Sequence, residues 1–236
     1  MSLGGPVVFT REGFVRGLRA SPALVLAGVP FGVIAGLTAQ AHGLSFAEAS
    51  LMSFFTFAGS AQLLALGAWT TPVSFATVNL TSLTVNLRFL LMGPLLAPWL
   101  DHLRGWRRWL SLFFMIDHNW ALALKEIEAG RRDAAFLIGS GLPIWVAWVL
   151  LTMVGHLLAS SVAAPPGHPV YFAALAVFIA LLVPMWRGRV DLAPWLVAAA
   201  VAFGVSRLLP HTSWHIVSGA IAGGLCGALR DAWTRR

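Results

Sequence analysis

Charge and cysteine are what this chain of 236 residues has least of. Asp, Glu, Lys and Arg together make 11% of it, against about 25% in an ordinary soluble domain. A chain this long cannot cover a water-facing surface with so few charges, which excludes a soluble fold. The single cysteine, Cys226, excludes a disulfide framework and a Cys-based zinc site. Acids are scarcer still, 9 against 16 Lys and Arg, for a net charge of +7. That imbalance does not read as a nucleic-acid surface, because the arginines sit in short clusters between apolar runs and form no single basic face.

What the chain has is apolar length, with 58% hydrophobic residues. The composition predicts an all-α, polytopic helical membrane protein. We expect one domain over residues 1–236, with about eight membrane segments and at least one broken or re-entrant helix. Residues 1–20 read as an arginine-bearing amphipathic lead-in at the cytoplasmic interface. Arg11, Arg16 and Arg19 followed by an apolar run and Ala39-Gln40-Ala41 imitate a secretory signal, but the run is long for a signal core. An uncleaved first span from Pro22 to Ala41 is expected.

The stretch 71–99, TPVSFATVNLTSLTVNLRFLLMGPLLAPW, organises the rest. Arg88 lies well inside it. A guanidinium in hydrocarbon costs at least a few kcal/mol unless it faces protein or water, so it marks a functional site. On a helix, Thr77, Thr81, Thr84 and Arg88 share one face, while Asn79, Ser82 and Asn86 fall roughly opposite, so neither side suits lipid. Thr71-Pro72 supplies a cap and a first-turn proline. From Pro72 to Pro98 a straight helix would measure about 40 Å, beyond a hydrocarbon core of about 30 Å, which predicts a tilt or a break between Asn86 and Pro94.

Before it, Ser45-Phe46-Ala47-Glu48 spells a capping box, so a helix should start near Phe46. Within that helix, Gly59, Ser60 and Gln62 interrupt an apolar run. They suit either close helix packing or a break whose freed amides meet an anionic group. After it, the segment from Trp109 to Leu124 is short for a span and carries Asp117, His118 and Asn119. As one helix it would align Ser111, Phe114, Asp117 and Lys125 on a stripe. Asp117 and His118 are the candidates for exchanging a coupling proton; exposure of both at an interfacial helix is the plainer alternative. Arg88 either binds a substrate carboxylate or pairs permanently with Asp117.

Further apolar runs span Ala134 to Ser161, Val170 to Trp186, Leu192 to Leu209 and Trp214 to Ala232. Loops 42–45, 162–169 and 210–213 lack Lys and Arg, whereas 125–133, 187–191 and the C-terminus carry them, which places both termini in the cytoplasm. Basic loops on both sides of the Asp117 segment conflict with a simple crossing. Either three arginines lie outside, or that segment and 46–69 are both re-entrant. Gly28-x-Pro30 and Gly141-x-Pro143 form a weak internal echo. His211 and His215 have metal-like spacing without the zincin glutamate, and read as the start of an interfacial helix. Gly139-Ser140-Gly141 lacks the spacing of an intramembrane protease and reads as helix packing. Trp106, Trp109, Trp186 and Trp214 read as interface anchors. No enzyme, cofactor or metal site is expected.

In FAGSAQ (Phe57 to Gln62), NLR (Asn86 to Arg88), the Asp117 segment, Pro30-Phe31-Gly32 and REGFVRGLRASP, the chain resembles the AzlC family over nearly its whole length. That resemblance implies the large subunit of a branched-chain amino acid exporter in the inner membrane. It further implies export of valine, leucine or isoleucine driven by protons, with a small AzlD-type membrane partner and the lipid bilayer around both. The residues expected to meet the small amino acid substrate are Gly59, Ser60, Gln62, Asn86 and Arg88, with Asp117 and His118 coupling to the proton. The family usually shows Asp followed by Glu where this chain has Asp117-His118, so the substrate or coupling ion is open at that position. Another small amphipathic solute, or a passive channel, is the alternative.

Overall fold

A computed structural model describes residues 6–69, 72–161, 188–209 and 214–234. The chain begins with α1 (Arg11–Ala20), which passes through Ser21 into the long apolar α2 (Pro22–Ala41). Two half-length helices follow, α3 (Phe46–Phe55) and α4 (Gly59–Gly67). The central stretch forms α5 (Phe75–Asn86), α6 (Arg88–Met92), a 3-10 turn (Gly93–Leu96) and α7 (Ala97–Leu100). A second short pair, α8 (Trp106–Phe113) and α9 (Asp117–Glu128), precedes α10 (Ala135–Ser161), α11 (Arg189–Leu208) and α12 (Trp214–Thr234). Apart from an isolated bridge between Val8 and Asp133, the described residues are helices and their connections.

Three described helices, α2, α10 and α11, are long and apolar enough to cross a membrane. The central stretch, bent by 40°, makes a fourth if it is one broken span. The sequence leaves open how many of its about eight membrane segments cross; α3, α4, α8 and α9 reach only about 12 to 18 Å each at 1.5 Å per residue, short of a hydrocarbon core of about 30 Å. The expected run from Val170 to Trp186, the loops at 162–169 and 210–213, Thr71 and His211 lie outside the described residues.

α10 is the helix on which α1, α2 and α3 are packed. α1 and α2 run along it in the same direction: Gly17 lies against Phe136 and Ser140, Gly32 against Leu151, and Gly36 against Thr152 and His156. The fit is backbone to backbone, because a Cβ on Gly36 would overlap the Thr152 carbonyl and one on Gly155 would overlap that of Val33. Small residues let membrane helices approach in this way, and van der Waals contact then holds them. Gly139-Ser140-Gly141 belongs to the same seam, with Gly139 on the Phe14 carbonyl and Gly141 on that of Phe114. The lead-in is therefore docked on the bundle. Its start is clamped by the buried Asp133 carboxylate, which accepts from the Thr10 hydroxyl and from the amides of Thr10 (3.1 Å), Gly13 (3.0 Å) and Ala135 (3.2 Å). A carboxylate at two helix starts also complements their dipoles.

The two short pairs are re-entrant hairpins from opposite ends. α8 begins where Trp106 meets Phe9, their rings 5.9 Å apart. α9 ends beside the same stretch of chain, where the Val8 amide donates to the Arg132 carbonyl (2.8 Å). The α8–α9 unit thus goes in and returns by one end, which fits the re-entrant alternative for its two basic loops. α3 begins, and α4 finishes, in a cluster of Ala39, Leu44, Ala49 and Leu66 at the other end, where α2 terminates. The tips meet: the Phe57 ring lies 6.3 Å from those of Phe113 and Phe114.

Candidate functional site

The central helix starts later than Thr71-Pro72 suggested. Its cap is Ser74, whose hydroxyl accepts the Thr77 amide (3.4 Å) and bonds the Thr77 hydroxyl (2.8 Å), leaving Pro72 in the preceding loop. A Ser three residues ahead of a Thr satisfies an orphan amide at once, which a bare Pro cannot do. Of the two polar faces, Thr81 is buried, whereas Asn79 is exposed and donates to its own helix at the Phe75 carbonyl (2.8 Å). The break falls where expected, with a turn at Leu87 immediately before Arg88.

Arg88 stands between the two hairpins, ahead of the 40° bend that falls between Leu90 and Gly93. One guanidinium nitrogen donates to the Ser60 hydroxyl of α4 at 2.9 Å. The other end pairs with the Asp117 carboxylate of α9 at 2.7 Å. Ser60 stands in the first turn of α4, which has no side-chain cap, and Asp117 is the first residue of α9. A carboxylate is favoured at such a helix start and a guanidinium is not, so Asp117 is what makes Arg88 tolerable there. The side chains of Arg88 and Asp117 are 34% and 42% exposed, so a solute can reach the pair. Arg88 Nε is buried without a hydrogen-bond partner.

Beside the pair opens a cleft of about 390 Å³. It is lined by the α3–α4 break (Phe55 to Ala58), by Phe89, by Leu112, Phe113 and Met115, and by Asn86. The Asn86 side-chain oxygen is buried and has no hydrogen-bond partner. The cleft is therefore apolar with one acceptor left over, next to an ion pair.

Gln62 is set apart from this opening. It is 0% exposed, its nitrogen donating to Ser53 (2.7 Å) and its oxygen accepting from the Trp148 indole (2.9 Å). Ser53 in turn donates to Thr152 (3.0 Å). Gly59 is the close-approach point of that assembly, since a Cβ there would come within 2.8 Å of the Trp148 ring. A second indole, Trp145, donates to the Phe54 carbonyl at 3.0 Å, near the end of α3. Trp145, Trp148 and Thr152 of α10, with Ser53 of α3, thus fix the break, and none of the four stood out in the sequence. A signal was there, because a tryptophan in the interior of a span needs a partner for its N–H.

The Asp117 segment is not one helix. Residues 114–116 interrupt it, so the stripe from Ser111 to Lys125 does not form. Asn119 makes the interruption: buried, it accepts the Ile116 amide (2.8 Å) and donates to the carbonyls of Phe114 (2.7 Å) and Leu137 (3.2 Å). Trp120 ties the same helix to the Met92 carbonyl at 2.9 Å. His118 is exposed beside Asp117. The structure thus gathers Ser60, Arg88 and Asp117 by direct bonds, sets Asn86 on the adjoining cleft, and keeps Gln62 behind the wall.

Comparison with known proteins adds a family but no solved structure, since none matches. The profile of the AzlC protein family matches residues 23–162. An uncharacterized membrane protein of Archaeoglobus fulgidus is 30% identical over 224 residues, covering 93% of this chain and 94% of its own length. The inner membrane protein YgaZ of Escherichia coli is 26% identical over 224 residues, covering 92% of this chain and 88% of its own. With more than half its length matched by the family profile and a relative aligned nearly end to end, the chain belongs to the AzlC family.

Proposed function

We propose that this membrane protein exports branched-chain amino acids across the inner membrane, driven by the proton gradient, as the large subunit of a pair with a small AzlD-type partner. The observation that carries the reading is Arg88, bonded at once to Ser60 of one hairpin and Asp117 of the other. An amino acid is a zwitterion, and it can exchange with an internal ion pair without leaving a charge unmatched. Its carboxylate takes the planar fork of Arg88. Asp117, displaced, faces its ammonium group, and the spare Asn86 oxygen accepts from the same group. The aliphatic side chain enters the cleft between Phe57, Phe89 and Phe113, where burial is worth about 1.5–3 kcal/mol.

Opposed hairpins supply two gates. Each one blocks access from its own end, and Arg88 latches both while no solute is bound. A proton delivered past exposed His118 to Asp117 removes that carboxylate's hold on Arg88 and shifts the balance between inward-open and outward-open states, as differential binding requires. Gln62 serves by fixing the wall.

The test is leucine efflux from loaded cells with the partner co-expressed. Loss of a charge-assisted bond costs about 1.5–3 kcal/mol, so Arg88→Gln should slow efflux by at least about tenfold. Arg88→Lys, which keeps charge without the fork, should fall between. Unchanged efflux in Arg88→Gln removes Arg88 from the mechanism. Efflux that neither saturates nor responds to an uncoupler assigns a channel instead.

A further inference from the structure

α8 carries a surface of which only the far end, Phe113, reaches the transport cleft. Trp106, Trp109, Leu110 and Phe113, spaced i, i+3, i+4, i+7, are all exposed, Trp106 by 64% and Trp109 by 72%. Trp109 and Leu110 form the outward part of this apolar stripe, while Trp106 packs on Phe9 (5.9 Å), Phe113 packs on Phe57 and Trp145 (6.3 Å each), and buried Ser111 marks the inward side. At the start of the stripe stand Arg104, Arg107 and Arg108, all exposed. None of the three has a carboxylate within ion-pair distance among the described residues, although exposed Asp101 is in the same loop. Arg107 is instead fixed over the rings of Phe9 (5.2 Å) and Trp106 (5.7 Å). α8 has no acid in its first turn, so these cations oppose its dipole with nothing to offset them.

We propose that this end of α8 is a binding site for an anionic phospholipid, its phosphate held by Arg104, Arg107 and Arg108 and its acyl chain lying along Trp109 and Leu110. The two halves of the surface specify the ligand together. Arginines without a carboxylate ask for an anion, and clustered basic residues next to a membrane are attracted to anionic lipid by about 1 kcal/mol each. The adjoining apolar stripe, headed by two tryptophans at headgroup level, asks for a hydrocarbon tail on that anion. A free phosphate would satisfy the arginines alone. The proposal rests on the membrane architecture and not on the export reading.

The full chain in detergent micelles, titrated with phosphatidylglycerol and with phosphatidylcholine and read by native mass spectrometry, tests it. We expect phosphatidylglycerol to be retained at least about tenfold more strongly. The preference should be lost in Arg104→Gln/Arg107→Gln/Arg108→Gln and kept in Arg189→Gln, which removes a cation elsewhere. Equal retention of the two lipids, or an undiminished preference in the triple variant, overturns the site. Inorganic phosphate at equal concentration should not displace the lipid, and displacement assigns the arginines to a free anion instead. A salt titration of the unaltered chain probes the same contact without a variant: the preference must fall as salt rises, and a salt-independent preference overturns the proposal.

Discussion

At the scale of single residues, the site is a set of groups whose requirements conflict. Arg88 is a cation beside a helix start, Asn86 holds a buried oxygen with no donor, and Asp117 is the only carboxylate paired with Arg88 among the described residues. A buried acceptor without a partner costs about 1–3 kcal/mol, a cost that the proposed substrate contact would offset. Asn86→Leu should therefore raise thermal stability in detergent while lowering leucine efflux by up to about tenfold. A fall in both would make Asn86 an ordinary structural residue. Arg88 and Asp117 could be singled out from the sequence, because ionisable groups in an apolar run stand out. Their union could not, since 29 positions and two helix breaks separate them. Gln62, a polar residue of the same motif, is buried with its amide bonded to Ser53 and Trp148.

At the scale of elements, the breaks decide the outcome, and they were unequally legible. The capping box was readable and forms, the Ser45 amide donating to Glu48 (2.8 Å) and the Glu48 amide to the Ser45 hydroxyl (3.3 Å). The bend after Asn86 was implied by length alone. The interruption at 114–116 had no glycine or proline to announce it, because it is built by the side chain of Asn119 reaching three backbone groups. A rule based on breakers cannot see such a device. Asn119→Leu leaves those groups without their partner, at about 1–3 kcal/mol apiece. It should lower the midpoint of thermal unfolding in detergent and weaken the Arg88–Asp117 contact by letting α8 and α9 fuse. An unshifted midpoint would mean that other contacts, such as Trp120 to Met92, suffice to set the break.

At the scale of the whole molecule, the orientation expected from loop charge can be tested on the two ends of the bundle. The end that gathers Val8, Phe9, Trp106 and Arg132 holds the basic loops, while the end that gathers Leu44, Ala49 and Leu66 has no Lys or Arg in its 42–45 loop. In a Cys226→Ser background, a thiol at His42→Cys should react with a membrane-impermeant reagent in intact cells. One at Glu128→Cys should react only after the membrane is opened. The opposite pattern inverts the protein and assigns the α8–α9 gate to the outer side. Hydropathy made the membrane class plain from the sequence, but it could not say which segments cross, since a re-entrant pair and a crossing have the same composition.

The seam between α2 and α10 carries a kinetic consequence. Where Gly36 and Gly155 let one main chain sit on another, neither helix can slide along its neighbour without driving carbonyls into carbonyls. That pair is thus a stator, and any working stroke has to be made by parts with lighter attachments. The hairpins, pinned by a few indole and hydroxyl bonds, are those parts, so turnover should respond to loosening Trp145 or Trp148 long before it responds to anything done at the seam short of unfolding.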